Sequence, residues 1–128
     1  MYQYSFEKLD VWQDARAFVK KIYDLTPQFP PKENYGLSSQ MQRAAVSIAS
    51  NIAEGMGRST EKEQIRFLEI AFGSLMETLC QLYLALDLSY LSQDVFDSMK
   101  ADVDKISNRI NGLSKSIKER LNKKQSNE

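Results

Sequence analysis

The chain has 128 residues, 42% hydrophobic and 27% charged, with 17 Lys plus Arg balanced by 17 Asp plus Glu, the composition of one ordinary soluble domain. Histidine is absent, which removes Ser-His-Asp and Cys-His nucleophiles, His-ligated zinc and imidazole acid-base catalysis together. Zero net charge argues against the basic surface of a dedicated nucleic-acid binder, although balanced totals conceal local patches.

In chain order, Met1 to Lys8 lacks the cationic stretch and apolar run of a signal peptide, and no 18-residue apolar stretch is expected further on. The expectation is a cytoplasmic protein with no membrane partner. From about Leu9 to Thr26 the steps Leu9, Trp12, Arg16, Val19 and Tyr23 have helical spacing, flanked by Ala15, Ile22 and Thr26. Pro27, Pro30 and Pro31 then stop the helix, since each lacks an amide hydrogen and restrains the residue before it. Phe29 is expected beneath this connector.

A second helix is predicted from Leu37 to Ala53 or slightly beyond, with Leu37, Met41, Ala44, Ala45, Ile48, Ala49 and Ile52 on one face. Its alanines keep it thin enough for close approach. Gly55 and Gly57 are expected to end it in left-handed conformations. A third helix starts near Thr60, with Glu63 placed for a capping box, and runs to about Leu88. Its main seam is Ile65, Leu68, Phe72, Leu75, Leu79, Leu82 and Leu86. Phe67, Ile70, Leu84, Ala85 and Leu88 lie off that arc, either as a wider core or as a subunit contact, the reading favoured here because contiguous apolar surface is rarely left wet. The only cysteine, Cys80, cannot close an intrachain disulfide and is expected to be a small buried hydrophobe.

A fourth helix begins at Ser92, a good cap, with Asp94 and Asp97 toward its positive end. Phe96, Met99, Val103, Ile106, Ile110, Leu113, Ile117 and Leu121 follow in a nearly strict heptad seam that passes through Asn111-Gly112. The fold expected is all-α, an antiparallel up-down-up-down four-helix bundle. Residues 1–122 form its single domain, and 123–128 a disordered tail.

The segments Phe6 to Trp12 (FEKLDVW), Phe29-Pro30, Tyr35-Gly36-Leu37, Arg43 to Gly55 (RAAVSIASNIAEG), Arg58 and Phe67 to Glu77 (FLEIAFGSLME) carry a resemblance. The chain resembles the bacterial four-helix-bundle family of the 23S rRNA intervening-sequence proteins, over roughly residues 6 to 90. It departs from the family pattern in having Gln42-Arg43 where paired arginines are usual, and Ala49 where proline is usual. The resemblance implies a homopentameric barrel with a central channel. A similar protein, the accessory protein of diversity-generating retroelements, partners a reverse transcriptase and binds RNA. These relationships imply self-assembly, RNA and another protein such as a nucleic-acid enzyme as partners, and no enzyme activity.

Two groups of polar residues could meet such partners. One is the stripe Gln40, Arg43, Ser47, Ser50, Asn51 and Glu54, continuing near Arg58. Arginine can fork onto phosphate while hydroxyls and amides fix register, but the same stripe suits a solvated face or a hydrogen-bonded subunit seam. The other is the basic end, Lys115, Lys118, Arg120, Lys123 and Lys124, which the helix dipole favours on its own account. No aromatic residues for base stacking are interleaved with it. The off-seam residues Phe67, Ile70, Leu84 and Leu88 form the candidate oligomer interface. The helical carboxylates have no Glu-x-x-His partner, and Gly55-Met56-Gly57-Arg58 is too short for a phosphate loop, so neither metal nor cofactor is expected.

Overall fold

The computed structural model describes residues 1–127. It contains four α-helices and, among the described residues, no strand: α1 Asp10–Leu25, α2 Leu37–Met56, α3 Glu61–Asp87 and α4 Gln93–Ser126. Short 3₁₀ turns at Ser5–Lys8, Thr26–Gln28 and Pro31–Glu33 fill the N-terminal arm and the α1–α2 connection.

Local chemistry sets the boundaries. Pro27 converts the end of α1 into a 3₁₀ turn, in which the Thr26 hydroxyl bonds back to the Ile22 carbonyl at 3.0 Å. Thr60 and Ser92 cap α3 and α4 by accepting the amides of Glu63 and Val95 at 3.3 and 3.2 Å. The reciprocal Glu63 half of the box does not form among the described residues. Glu33 caps α2 from outside the helix, its Oε1 accepting the Leu37 amide at 3.2 Å. Gly55 and Gly57 are not left-handed: Gly55 is the buried penultimate residue of α2 and Gly57 has φ −88°. The one left-handed residue among those described is Ser89, at φ 62° beyond the end of α3.

The core follows the heptad seam of α4, with Phe96, Met99, Val103, Ile106, Ile110 and Ile117 buried and Leu113 and Leu121 half-buried. In α3, Leu68, Leu75 and Leu82 are buried, joined by Ala71, Thr78, Gln81 and Ala85. The core line of α1 is Val11, Ala15, Phe18, Ile22 and Leu25, so the expected line through Trp12, Arg16 and Tyr23 is displaced. Arg16 and Tyr23 are exposed, because the Phe18 line buries no charge whereas the other would bury Arg16. Phe29 lies under its connector against Tyr90, ring centroids 5.3 Å apart. Cys80 is exposed, contrary to expectation, because the α3 face it occupies points away from the seam.

Pairings between helices run in inverse order. Lys21 meets Asp102 while Asp14 meets Arg109, and Tyr83 meets Phe96 while Glu61 meets Lys124. This is compatible with the up-down order. By length and composition alone α3 could also cross a membrane, correcting the expectation of no such stretch, though a third of that window is buried inside the bundle. α4 stays helical to Ser126, through most of the residues expected as a disordered tail; Glu128 lies outside the described residues.

Candidate interaction surfaces

The structure divides the α2 stripe. Ser47 faces α3, its hydroxyl 2.8 Å from that of Ser74, and Asn51 donates to the Ser47 carbonyl and hydroxyl at 2.8 and 3.0 Å. Ser47 is thus spent joining α2 to α3 and Asn51 bracing it within α2, and both are half-buried. Gln40, Arg43, Ser50 and Glu54 remain exposed on the outer side. Thr78 and Gln81 extend the polar seam on α3. Thr78 donates to the Ser74 carbonyl at 2.9 Å and Gln81 to Glu77 at 3.3 Å.

The off-seam residues of α3 also separate. Ile70, Leu84 and Leu88 are 42%, 48% and 53% exposed, an uncovered apolar strip on this chain, with Ala85 buried instead. Phe67 is half-buried, packed over Gly55 on one side, with the Arg58 guanidinium 4.5 Å from its ring centroid on the other. Arg58 is thereby fixed over an aromatic face and keeps its charge toward solvent. Its carbonyl accepts the Gln64 amide at 3.1 Å, tying the α2–α3 turn to the start of α3.

At the same end, Lys124 pairs with Glu61, in the first turn of α3. The Glu61 carboxyl is held below the ordinary carboxylate range, first by the bond from Lys124, then by its own backbone amide and by the charges of Lys124 and Arg120. Lys115, Lys118, Arg120 and Lys123 have no carboxylate within salt-bridge distance among the described residues. Lys118 borders a shallow groove between α3 and α4, with Glu69, Asn111 and Ser114. Along α4 the charges are segregated: residues 93–104 carry Asp94, Asp97, Asp102 and Asp104 against Lys100. Residues 105–124 carry Lys105, Arg109, Lys115, Lys118, Arg120, Lys123 and Lys124 against Glu119. Lys105 and Arg109 are engaged by Asp14 of α1, at 3.4 and 2.5 Å, so the unengaged cations lie beyond them.

Sequence reasoning missed the N-terminal arm. Tyr2 and Tyr4 are exposed and meet edge to face, ring centroids 4.8 Å apart, while the Ser5 hydroxyl reaches the Met56 carbonyl at 3.5 Å. The arm therefore lies against the C-terminus of α2, beside the turn that carries Arg58. The signal available was the Tyr-x-Tyr repeat of residues 2 to 4, which has no meaning until its neighbours are known.

A crystal structure of a protein of unknown function from the S23 ribosomal protein family of Bacteroides thetaiotaomicron is similar in fold, with a TM-score of 0.76. It is 24% identical, over 82% of this chain and 95% of that one. No curated protein matches the chain. Residues 7–112 match the family described as 23S rRNA-intervening sequence protein. With that match spanning most of its length, the chain belongs to the 23S rRNA-intervening sequence protein family.

Proposed function

We propose that this protein is a non-enzymatic helical bundle of up-down-up-down order that assembles with copies of itself and contacts RNA phosphates as an accessory or assembly factor. The observation that carries the RNA contact is the set of unengaged cations, Lys115, Lys118, Arg120 and Lys123, gathered at the end that also holds Arg58. Such a cluster attracts phosphate through counterion release whatever the base sequence, and copies in a ring present it repeatedly. The family's description supports RNA as the polyanion. Five copies, as the resemblance implies, a cytoplasmic location and a nucleic-acid enzyme as a further partner belong to the same reading. The missing histidine supports a binding role over catalysis.

Titration against structured RNA at two salt concentrations tests it. Affinity should fall with salt by about 0.9 log unit per log unit of salt for each duplex phosphate contacted, whereas absence of binding at low salt rejects the RNA contact. Arg43→Glu separates the roles of the α2 stripe: lost RNA binding with the oligomer intact places it at RNA, and a dissociated oligomer places it at the interface.

The second reading is a protein adaptor or scaffold with no nucleic-acid role, favoured by the exposed strip Ile70, Leu84 and Leu88. Light scattering decides whether copies cover that strip. A monomer would remove self-assembly and leave the strip for another partner.

A further inference from the structure

We infer that the basic end binds single-stranded RNA in particular, with Tyr2 and Tyr4 as a platform for unpaired bases; this rests on the RNA contact proposed above and specifies its ligand. Single exposed aromatics are ordinary surface. Here two lie together: Tyr2 and Tyr4 are 76% and 62% exposed and meet edge to face at 72°.

The arm that carries them is held in place. The Tyr4 amide donates to Glu7 Oε2 at 2.7 Å, and Gln13 of α1 donates to the Glu7 carbonyl at 3.2 Å. Phe6 packs edge-on against Trp12 at 4.8 Å. The Ser5 hydroxyl reaches the end of α2 through the Met56 carbonyl. From Met56 the chain turns through Arg58 into the first turn of α3, where Glu61 binds Lys124. The arm and the end of α4, more than a hundred residues apart in sequence, therefore stand at one end of the bundle. Both lie at or beyond the limits of the family match at residues 7 and 112.

Cations that follow a backbone, beside aromatic faces on which bases stack, are the two parts of a single-strand site. A duplex cannot use the second part, because its bases are already stacked on one another. The site thus discriminates paired from unpaired RNA without reading sequence. Tyr2 and Tyr4 supply the preference, and Arg58, Lys118, Arg120 and Lys123 supply the salt-dependent affinity.

The test is an anisotropy titration of the whole chain with a labelled RNA strand of about 12 nucleotides, within the span of one such site. The same strand is also presented annealed to its complement and with abasic positions. Tighter binding of the bare strand than of the other two is expected. Tyr2→Ala with Tyr4→Ala should weaken the strand by about 10-fold or more without changing the salt slope, and Tyr2→Phe with Tyr4→Phe should retain binding because the ring faces remain. Lys118→Gln with Lys123→Gln should instead lower the slope for strand and duplex alike. Equal binding of strand, duplex and abasic strand, or a Tyr-to-Ala pair that binds as the parent does, overturns the stacking platform and leaves the phosphate contact standing. Failure of every RNA to bind at low salt overturns both, and displacement of the strand by polyglutamate at equal charge shows an unselective polyanion surface and also overturns the inference.

Discussion

Gly55 and Phe67 share one space: a Cβ on Gly55 would stand 2.8 Å from the Phe67 Cβ, closer than such atoms approach in folded chains. α2 and α3 are in contact here through the absence of a side chain. Gly55→Ala should therefore destabilise, overpacking costing about 1–3 kcal/mol against a gain of about 1 kcal/mol in helix propensity. The expected net result is a melting temperature lowered by a few degrees. Phe67→Ala in the same chain should not restore it, since alanine keeps the colliding Cβ. A Gly55→Ala chain that melts higher than its parent would show that the helices part freely at this crossing.

Gly73 and Gly112 are the opposite case, each inside a helix with nothing within 4 Å of an added Cβ. Alanine at either should raise stability by roughly 0.5–1 kcal/mol. The two should differ in assembly. Gly73 lies on the exposed side of α3 between Ile70 and Glu77, so Gly73→Ala should weaken association if copies meet there, and Gly112→Ala should leave it unchanged. Thermal melts and light scattering on the same samples read both effects.

Glu33 joins the α1–α2 connection to the α3–α4 connection, accepting the Tyr90 hydroxyl at 2.7 Å on one oxygen and the Leu37 amide on the other. The Tyr90 bond, then the Leu37 amide, hold its carboxyl below the ordinary range, and the same bond raises the Tyr90 hydroxyl. A depressed carboxyl contributes stability above its unfolded pKa and loses it as pH falls through the folded value. A raised tyrosine contributes below its unfolded pKa and loses its share as pH rises through the folded value. Tyr90→Phe should consequently melt lower than the parent near neutral pH, with the gap closing as the solution is acidified through the carboxylate range. A gap independent of pH would show that the Tyr90 hydroxyl contributes as much with Glu33 neutral as with it charged.

Ser89 holds φ 62° while the next amide, of Tyr90, bonds the Ala85 carbonyl at 2.9 Å to close α3. A side chain there opposes the left-handed backbone by about 1–2 kcal/mol, and glycine avoids most of that cost. Ser89→Gly should raise the melting temperature by several degrees. No rise would mean that the serine side chain compensates for its own strain.

The sequence made the helices legible wherever one periodicity had no rival. The α4 seam from Phe96 to Ile117 and the proline stop at residue 27 depend only on local spacing and backbone chemistry. In α1 two lines share the same spacing, and only the neighbouring helices select the Phe18 line over the Trp12 line. Gly55 carried the residue type of a helix end but serves a close crossing, a distinction that requires Phe67 to be in place. Ser47 and Asn51 belonged to a legible polar stripe, yet Ser47 finds its partner on α3, and Asn51 turns back onto Ser47 within α2. That the N-terminal arm and the end of α4 stand at one end of the bundle is a product of chain topology and leaves no trace in local pattern.

The segregation of charge along α4 affects how the whole molecule moves. Its acids stand near the start of a 34-residue rod and its unmatched bases near the other extremity, so a particle that drifts little in an electrophoretic field should nonetheless experience torque. It should show strong dielectric relaxation for its size and arrive at an anionic polymer already oriented, basic pole first.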